Sequence, residues 1–289
     1  MNKRFLGGFT IIEVSLFLAL SGMLMVGLIA TSNRSIARQR YNDTVNDVAD
    51  YFRGVYSDVM NVSSDLPLGQ ATGGAGRSDQ AVYGKLLLFG PDNARAGSYS
   101  NIVAYDIVGK AITSDALNTA INNAASTDTR SLILCPPAPA NPSCQIGASI
   151  FREDAAGTPY KRTVHTIPWE SSLENTSDNT PFSGAVLILR SPISGTIRTY
   201  VSATDPFGAA AITSSNFYNV MSGGAMTESA LDICIDSPDN SYNTRRNLRI
   251  NAHASNSSSV ELVAQDNQES DGNHCGFNAD FAGNPPGNS

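Results

Sequence analysis

The stretch FTIIEVSLFLALSGMLMVGLIAT, residues 9–31, decides the fold. It runs for 23 residues with one charge, Glu13. As a helix it is about 34 Å long, enough to cross the hydrocarbon core of a bilayer. The eight residues before it, MNKRFLGG, carry the cations Lys3 and Arg4. A secretory signal has a shorter apolar region with a small-residue cleavage site after it. Here the run is too long and Leu28-Ile29-Ala30 is a poor site, whereas the Gly7-Gly8 pair stands before the run. Glu13 needs a physical reason, because a carboxylate inside a span costs about 3 kcal/mol or more on insertion scales. Either it snorkels to the interface, only five residues into the span, or a partner charge meets it.

The helical pattern continues past residue 31. Ala37, Tyr41, Val45, Val48, Phe52, Val55, Val59 and Val62 follow steps of three and four, which makes one apolar face. Ser63-Ser64-Asp65-Leu66-Pro67 reads as the stop. The spacing predicts one helix over 9–62, about 80 Å long, with 9–31 in lipid and 32–62 laying its stripe on a globular head. The alternative is a membrane helix followed by a separate soluble one.

Gly7-Gly8-Phe9-Thr10-Ile11-Ile12-Glu13-Val14 resembles the prepilin cleavage and methylation motif of type IV pilins, minor pilins and type II secretion pseudopilins. The resemblance covers about the first 31 residues. It implies a leader over 1–8, cleavage between Gly8 and Phe9 by a membrane-embedded prepilin peptidase, and N-methylation of Phe9. It implies that Glu13, the fifth mature residue, helps subunits join a filament. The implied architecture is a long N-terminal helix half embedded in a head. Many major pilins carry a proline near the end of the membrane half, where this chain has Ala30, and that departure points to a minor subunit. The physical logic agrees with the motif. Cleavage exposes an amine on Phe9, and in a staggered helix bundle this amine pairs with a neighbour's Glu13 in low dielectric. Lys3 and Arg4 before the span and Arg34, Arg38 and Arg40 after it leave the positive-inside rule without a direction. The leader motif and the cysteines put the head outside the cytoplasmic membrane, on a single-pass chain that passes into an extracellular filament.

Residues 63–81 are glycine-rich, with Gly69, Gly73, Gly74 and Gly76, and read as a linker rather than a phosphate loop. Beyond them the β-prone runs are 85–89, 101–108, 131–134, 161–167, 185–190, 196–202, 230–235, 247–252 and 260–263, with a helix over 114–125. The runs 185–190 and 196–202 flank a Pro/Gly turn and predict a hairpin. The last two pair across a Ser/Asn turn. Together 82–276 form a β-rich head on an antiparallel or mixed sheet, and the fold class is α+β. The tail, 277–289, rich in Gly, Asn and Pro, is expected to be disordered.

Cys135, Cys144, Cys234 and Cys275 show no metal-binding spacing, which suits disulfides in an oxidising compartment. Three connectivities are open, and the sequential one, Cys135–Cys144 with Cys234–Cys275, is expected. On chain entropy the two bridges contribute about 2.5 and about 4 kcal/mol. A C-terminal disulfide-bounded region is also a common pilin feature.

A chemical site is hard to find. The net charge of −7, from 19 Lys+Arg and 26 Asp+Glu, disfavours broad nucleic-acid binding. His165, His253 and His274 are far apart and match no metal motif. Asp232, Asp236 and Asp239 surround Cys234, while Asp266, Asp271 and Asp280 flank Cys275. Convergent carboxylates suit calcium, but this spacing matches no calcium loop, and a solvated acidic face is the expectation. Arg245, Arg246 and Arg249, beside Tyr242, are the basic cluster of the head, either a DNA contact or guards of a strand edge. With no catalytic constellation, no cofactor and no metal implied, the expected function is structural: a minor pilin or pseudopilin. Its partners are then other pilin subunits, the prepilin peptidase and the cytoplasmic membrane. The competing reading is a pilin-anchored adhesin or DNA receptor, with a surface ligand or DNA bound by the head.

Overall fold

The computed structural model describes residues 10–61, 80–90, 101–110, 162–169, 171–176, 180–191, 194–208, 214–236, 245–263 and 275. The expected leader 1–8, the bulk of the linker 63–81, the helix over 114–125, the strand over 131–134, Cys135, Cys144 and the tail 277–289 lie outside these residues. The chain divides into two compact units, residues 1–43 and 44–289.

Helix α1, Ile11–Met60, contributes to both units. Thr10 stands at its N-cap, and its carbonyl accepts the first helical bond, from the Val14 amide at 3.2 Å. In the first unit, Ile11–Ile29 is apolar enough to span a membrane, and none of it is buried by the protein. Ile11, Phe17, Met23 and Leu28 each keep more than half of their surface. A helix apolar on all sides suits hydrocarbon and not water.

In the second unit, residues 44–60 of α1 bury one side. Val45, Val48, Ala49, Phe52, Val55, Tyr56 and Val59 recur at steps of three and four and are buried. They pack on a five-stranded antiparallel sheet of order β3-β2-β1-β5-β6. Its strands are β1 (Gln80–Phe89), β2 (Asn101–Lys110), β3 (Arg162–Thr166), β5 (Ala185–Arg190) and β6 (Ile197–Ser202). Phe52 stacks on Phe89 at 5.9 Å, and Phe89 meets Phe182 at 5.3 Å. The other face carries Leu86, Leu88, Val103, Tyr105, Leu187, Leu189 and Tyr200, covered by α2 (Ser214–Ser222) through Phe217 and Met221. Burial on both faces explains why β1 and β5 are continuously apolar, LLLF and AVLIL, instead of alternating.

Among the described residues the expected single sheet is two. The second, of order β4-β7-β8-β9, consists of β4 (Ser172–Asn175), β7 (Leu231–Asp236), β8 (Arg246–Ile250) and β9 (Val260–Val263), all antiparallel. Leu231, Ile233, Leu248, Ile250 and Val260 are buried on its inner face. The hairpin of β5 and β6 forms as expected, with Ala185 opposite Ser202 and Arg190 opposite Ile197. So does the pairing of β8 with β9. Strand β1 begins at Gln80, inside the stretch assigned to the linker, and runs through a bulge at 82–84. Gly84 is required there, because a Cβ would lie 2.0 Å from the Ile188 carbonyl oxygen.

Helix α1 ends in the second unit without a basic residue in its last turn. A cation is supplied from elsewhere: the Arg190 guanidinium of β5 donates to the Met60 carbonyl. That satisfies one orphan acceptor at the negative end of the helix dipole.

Candidate functional site

In the first unit the candidate residue is Glu13. It stands at the third helical position after Thr10, in the first turn of α1. The Thr10 amide donates to Glu13 Oε2 at 3.2 Å, and the Thr10 hydroxyl donates to the same oxygen at 3.3 Å. In return the Glu13 amide donates to Thr10 Oγ1 at 3.3 Å. This is a reciprocal capping box, in which side chains satisfy amides that the first turn leaves without helical partners. The negative charge also lies at the positive end of the helix dipole. The pattern Thr10-x-x-Glu13 before an apolar run is its sequence signature, whereas reading Glu13 as an anomalous membrane charge overlooks Thr10. Gly8 and Phe9 lie outside the described residues.

In the second unit the candidate residues were the cysteines and the arginines. Cys234, at the centre of β7, is bonded to Cys275 with Cα atoms 5.5 Å apart, as expected. Cross-strand register then sorts the polar residues of this sheet. Partners across a ladder share a face. Glu174, Cys234 and Asn247 form one row, and Asp232, Arg249 and Glu261 another, both on the outer face. Arg246 is paired with Ile235 and so belongs to the opposite, apolar face. The three arginines are therefore no single patch, because a strand's period of two separates Arg246 from Arg249. Nor do they guard an edge: β8 is an inner strand.

Each outer-face arginine meets carboxylates. Arg245, whose side chain is 14% exposed, reaches Glu174 at 3.2 Å and Asp236 at 3.1 Å. Arg249 Nε is 3.9 Å from Asp232, which also accepts a 2.8 Å bond from the Asn247 amide group. Burial, with the like charge of Asp236 beside it, pushes the Glu174 carboxyl up, and Arg245 opposes this. Four carboxylates, Glu174, Asp232, Asp236 and Glu261, thus face two guanidiniums. A phosphate approaching Arg245 has to displace two anions from it. Asp232 and Asp236, expected on a solvated acidic face, are instead only 8% and 18% exposed and committed to these pairs, while Asp239, Asp266, Asp271, Asp280 and Tyr242 lie outside the described residues. Among the described residues no group of three His, Cys, Asp or Glu is placed to hold a metal ion.

Each described histidine lies beside a carboxylate. His165 on β3 lies 3.0 Å from Asp47 and stacks on Tyr51 at 4.1 Å, joining the edge strand to α1. His253, in a left-handed turn at φ 57°, lies 3.0 Å from Glu228, which also accepts from Arg198. Burial works against ionisation of Glu228, but hydrogen bonds from His253, Arg198 and Tyr200 hold its carboxyl below the usual range. His274 lies outside the described residues. A buried relay links α1, β6 and the turn after β8: Tyr56 to Thr199 at 2.8 Å and Thr199 to the Ala254 carbonyl at 2.8 Å.

Comparison with family models, with characterised proteins and with solved structures finds no match to this chain. A membrane-compatible helix with a capped carboxylate in its first turn, and a disulfide-bonded β-rich unit with ion-paired surfaces, are what the geometry defines.

Proposed function

We propose that this chain is a structural subunit, a minor pilin or pseudopilin, of a type IV pilus-like or type II secretion-like filament, matured by a prepilin peptidase. One observation carries the reading: Glu13 is held in the first turn of a helix whose next 16 residues, up to Ile29, are apolar enough for hydrocarbon and unburied by the protein. A carboxylate there is costly in lipid unless a cation meets it. Cleavage after Gly8 creates such a cation, the Phe9 amine, one residue before the N-cap. In a bundle of parallel helices offset along their axes, the amine of one copy meets Glu13 of the next, and both charges leave lipid together. The head then carries the surface of the filament, with the Cys234–Cys275 bond fastening residue 275 to β7 against extracellular conditions. The ion-paired arginines give a DNA-receptor reading no support of its own.

The test is Glu13→Ala in cells that assemble the filament. The variant is expected to be processed and retained in the membrane, and to fall at least about tenfold in sheared filaments, since removing one partner of a desolvated ion pair costs several kcal/mol. Incorporation at the wild-type level overturns the proposal.

A further inference from the structure

We propose that Thr10 is a positioning residue for Glu13, one that holds the carboxylate in the orientation in which a neighbouring subunit's amine reaches it. The inference rests on the filament reading above and names a second residue in the same contact.

Both bonds from Thr10 to the carboxylate end on Oε2, and none of the three Thr10–Glu13 bonds engages Oε1. Thr10 therefore holds one oxygen and leaves the other for a partner. A glutamate side chain has three rotatable bonds, and in lipid its carboxylate gains by snorkelling toward the headgroups. The capping box removes that freedom. It fixes the charge to the first turn, where the helix dipole also favours it. In low dielectric these hydrogen bonds are stronger than in water, so the orientation persists until a second charge arrives. A preoriented carboxylate gives up less conformational entropy on pairing, which is how preorganisation raises affinity. The hydroxyl is the part of Thr10 that matters. It donates to Oε2 and accepts from the Glu13 amide at once, so its removal breaks two of the three bonds. Valine has the same shape without the hydroxyl, and serine has the hydroxyl without the methyl.

The experiment compares wild type, Thr10→Val, Thr10→Ser and Glu13→Ala as full-length chains in cells that assemble the filament. The readouts are the mature fraction by intact mass and the amount of mature chain in sheared filaments. Thr10→Val is expected to be processed normally and to fall about three- to thirtyfold in filaments, the range that losing a capping hydroxyl implies. Thr10→Ser is expected to restore most of the loss. Wild-type assembly by Thr10→Val, with Glu13→Ala absent from filaments, overturns this inference and leaves the filament reading intact. An equal loss in Thr10→Ser and Thr10→Val also overturns it, because the hydroxyl is then irrelevant. Retention of the leader by Thr10→Val overturns it too, because Thr10 then acts on cleavage. Wild-type assembly by Glu13→Ala removes the reading on which it rests.

Discussion

Tyr56, Thr199 and Ala254 show how single side chains tie the head together. Thr199 has one hydroxyl proton and donates it to the Ala254 carbonyl, so Tyr56 must donate to Thr199. Tyr56→Phe leaves the Thr199 oxygen short of a donor in a fully buried site and is expected to cost about 1 kcal/mol, read from the urea midpoint of the detergent-solubilised chain. Burial pushes the Tyr56 hydroxyl up to about 12, and burial with Asp58 and Asp106 nearby does the same for Tyr51. The sign follows from linkage. An unfolded tyrosine loses its proton near 10 and the folded ones near 12, so both favour the folded head below 10 and that advantage drains away between 10 and 12. Stability is expected to fall over that interval, and less steeply in a Tyr51→Phe/Tyr56→Phe chain, as unfolding titrations at stepped pH will show. Gly84→Ala drives a methyl into the Ile188 carbonyl and is expected to lower stability by about 1–3 kcal/mol. At this scale the sequence revealed the odd residue but not its partner. Glu13 stood out by charge alone, while Thr10 became meaningful only through the capping-box spacing.

Among the elements, α1 and the strands richest in apolar residues were readable because their patterns are unambiguous. The valine and phenylalanine steps of α1 ran at helical spacing, and 185–190 and 260–263 coincide with β5 and β9. Two elements were not readable. Strand β4 is four residues, SLEN, with one apolar side chain, and it exists through its ladder with β7. Helix α2 is rich in serine and asparagine, and only Phe217 and Met221, four apart, mark its buried face. Its end was visible in hindsight: Gly224 takes φ 72° in a C-cap that closes on the Met221 carbonyl. The arginines are close in sequence but not in space, because β8 turns Arg246 and Arg249 to opposite faces. Phe52 stands where α1 meets the sheet, and Phe52→Ala is expected to cost about 3–5 kcal/mol. Reducing Cys234–Cys275, which are 41 residues apart, is expected to cost about 4 kcal/mol, measured as a shift in the urea midpoint with and without reductant.

For the whole molecule, the α+β class was readable, because a long apolar helix followed by many short β-prone runs admits few other packings. The division of the head into two sheets was not, since strand order depends on long-range pairing that periodicity does not encode. The proposed function rests on the first unit more than on the head: among the described residues the head's charged groups are largely paired with one another, whereas the unburied apolar helix and Glu13 carry the filament proposal. The most direct test is the N-terminus of the protein taken from membranes of cells with and without the prepilin peptidase, by intact mass and N-terminal peptide. The account predicts a mature chain beginning at N-methylated Phe9, and the full leader when the peptidase is missing. A chain that still begins at Met1 in the presence of the peptidase, or one cut after Ala30, contradicts it.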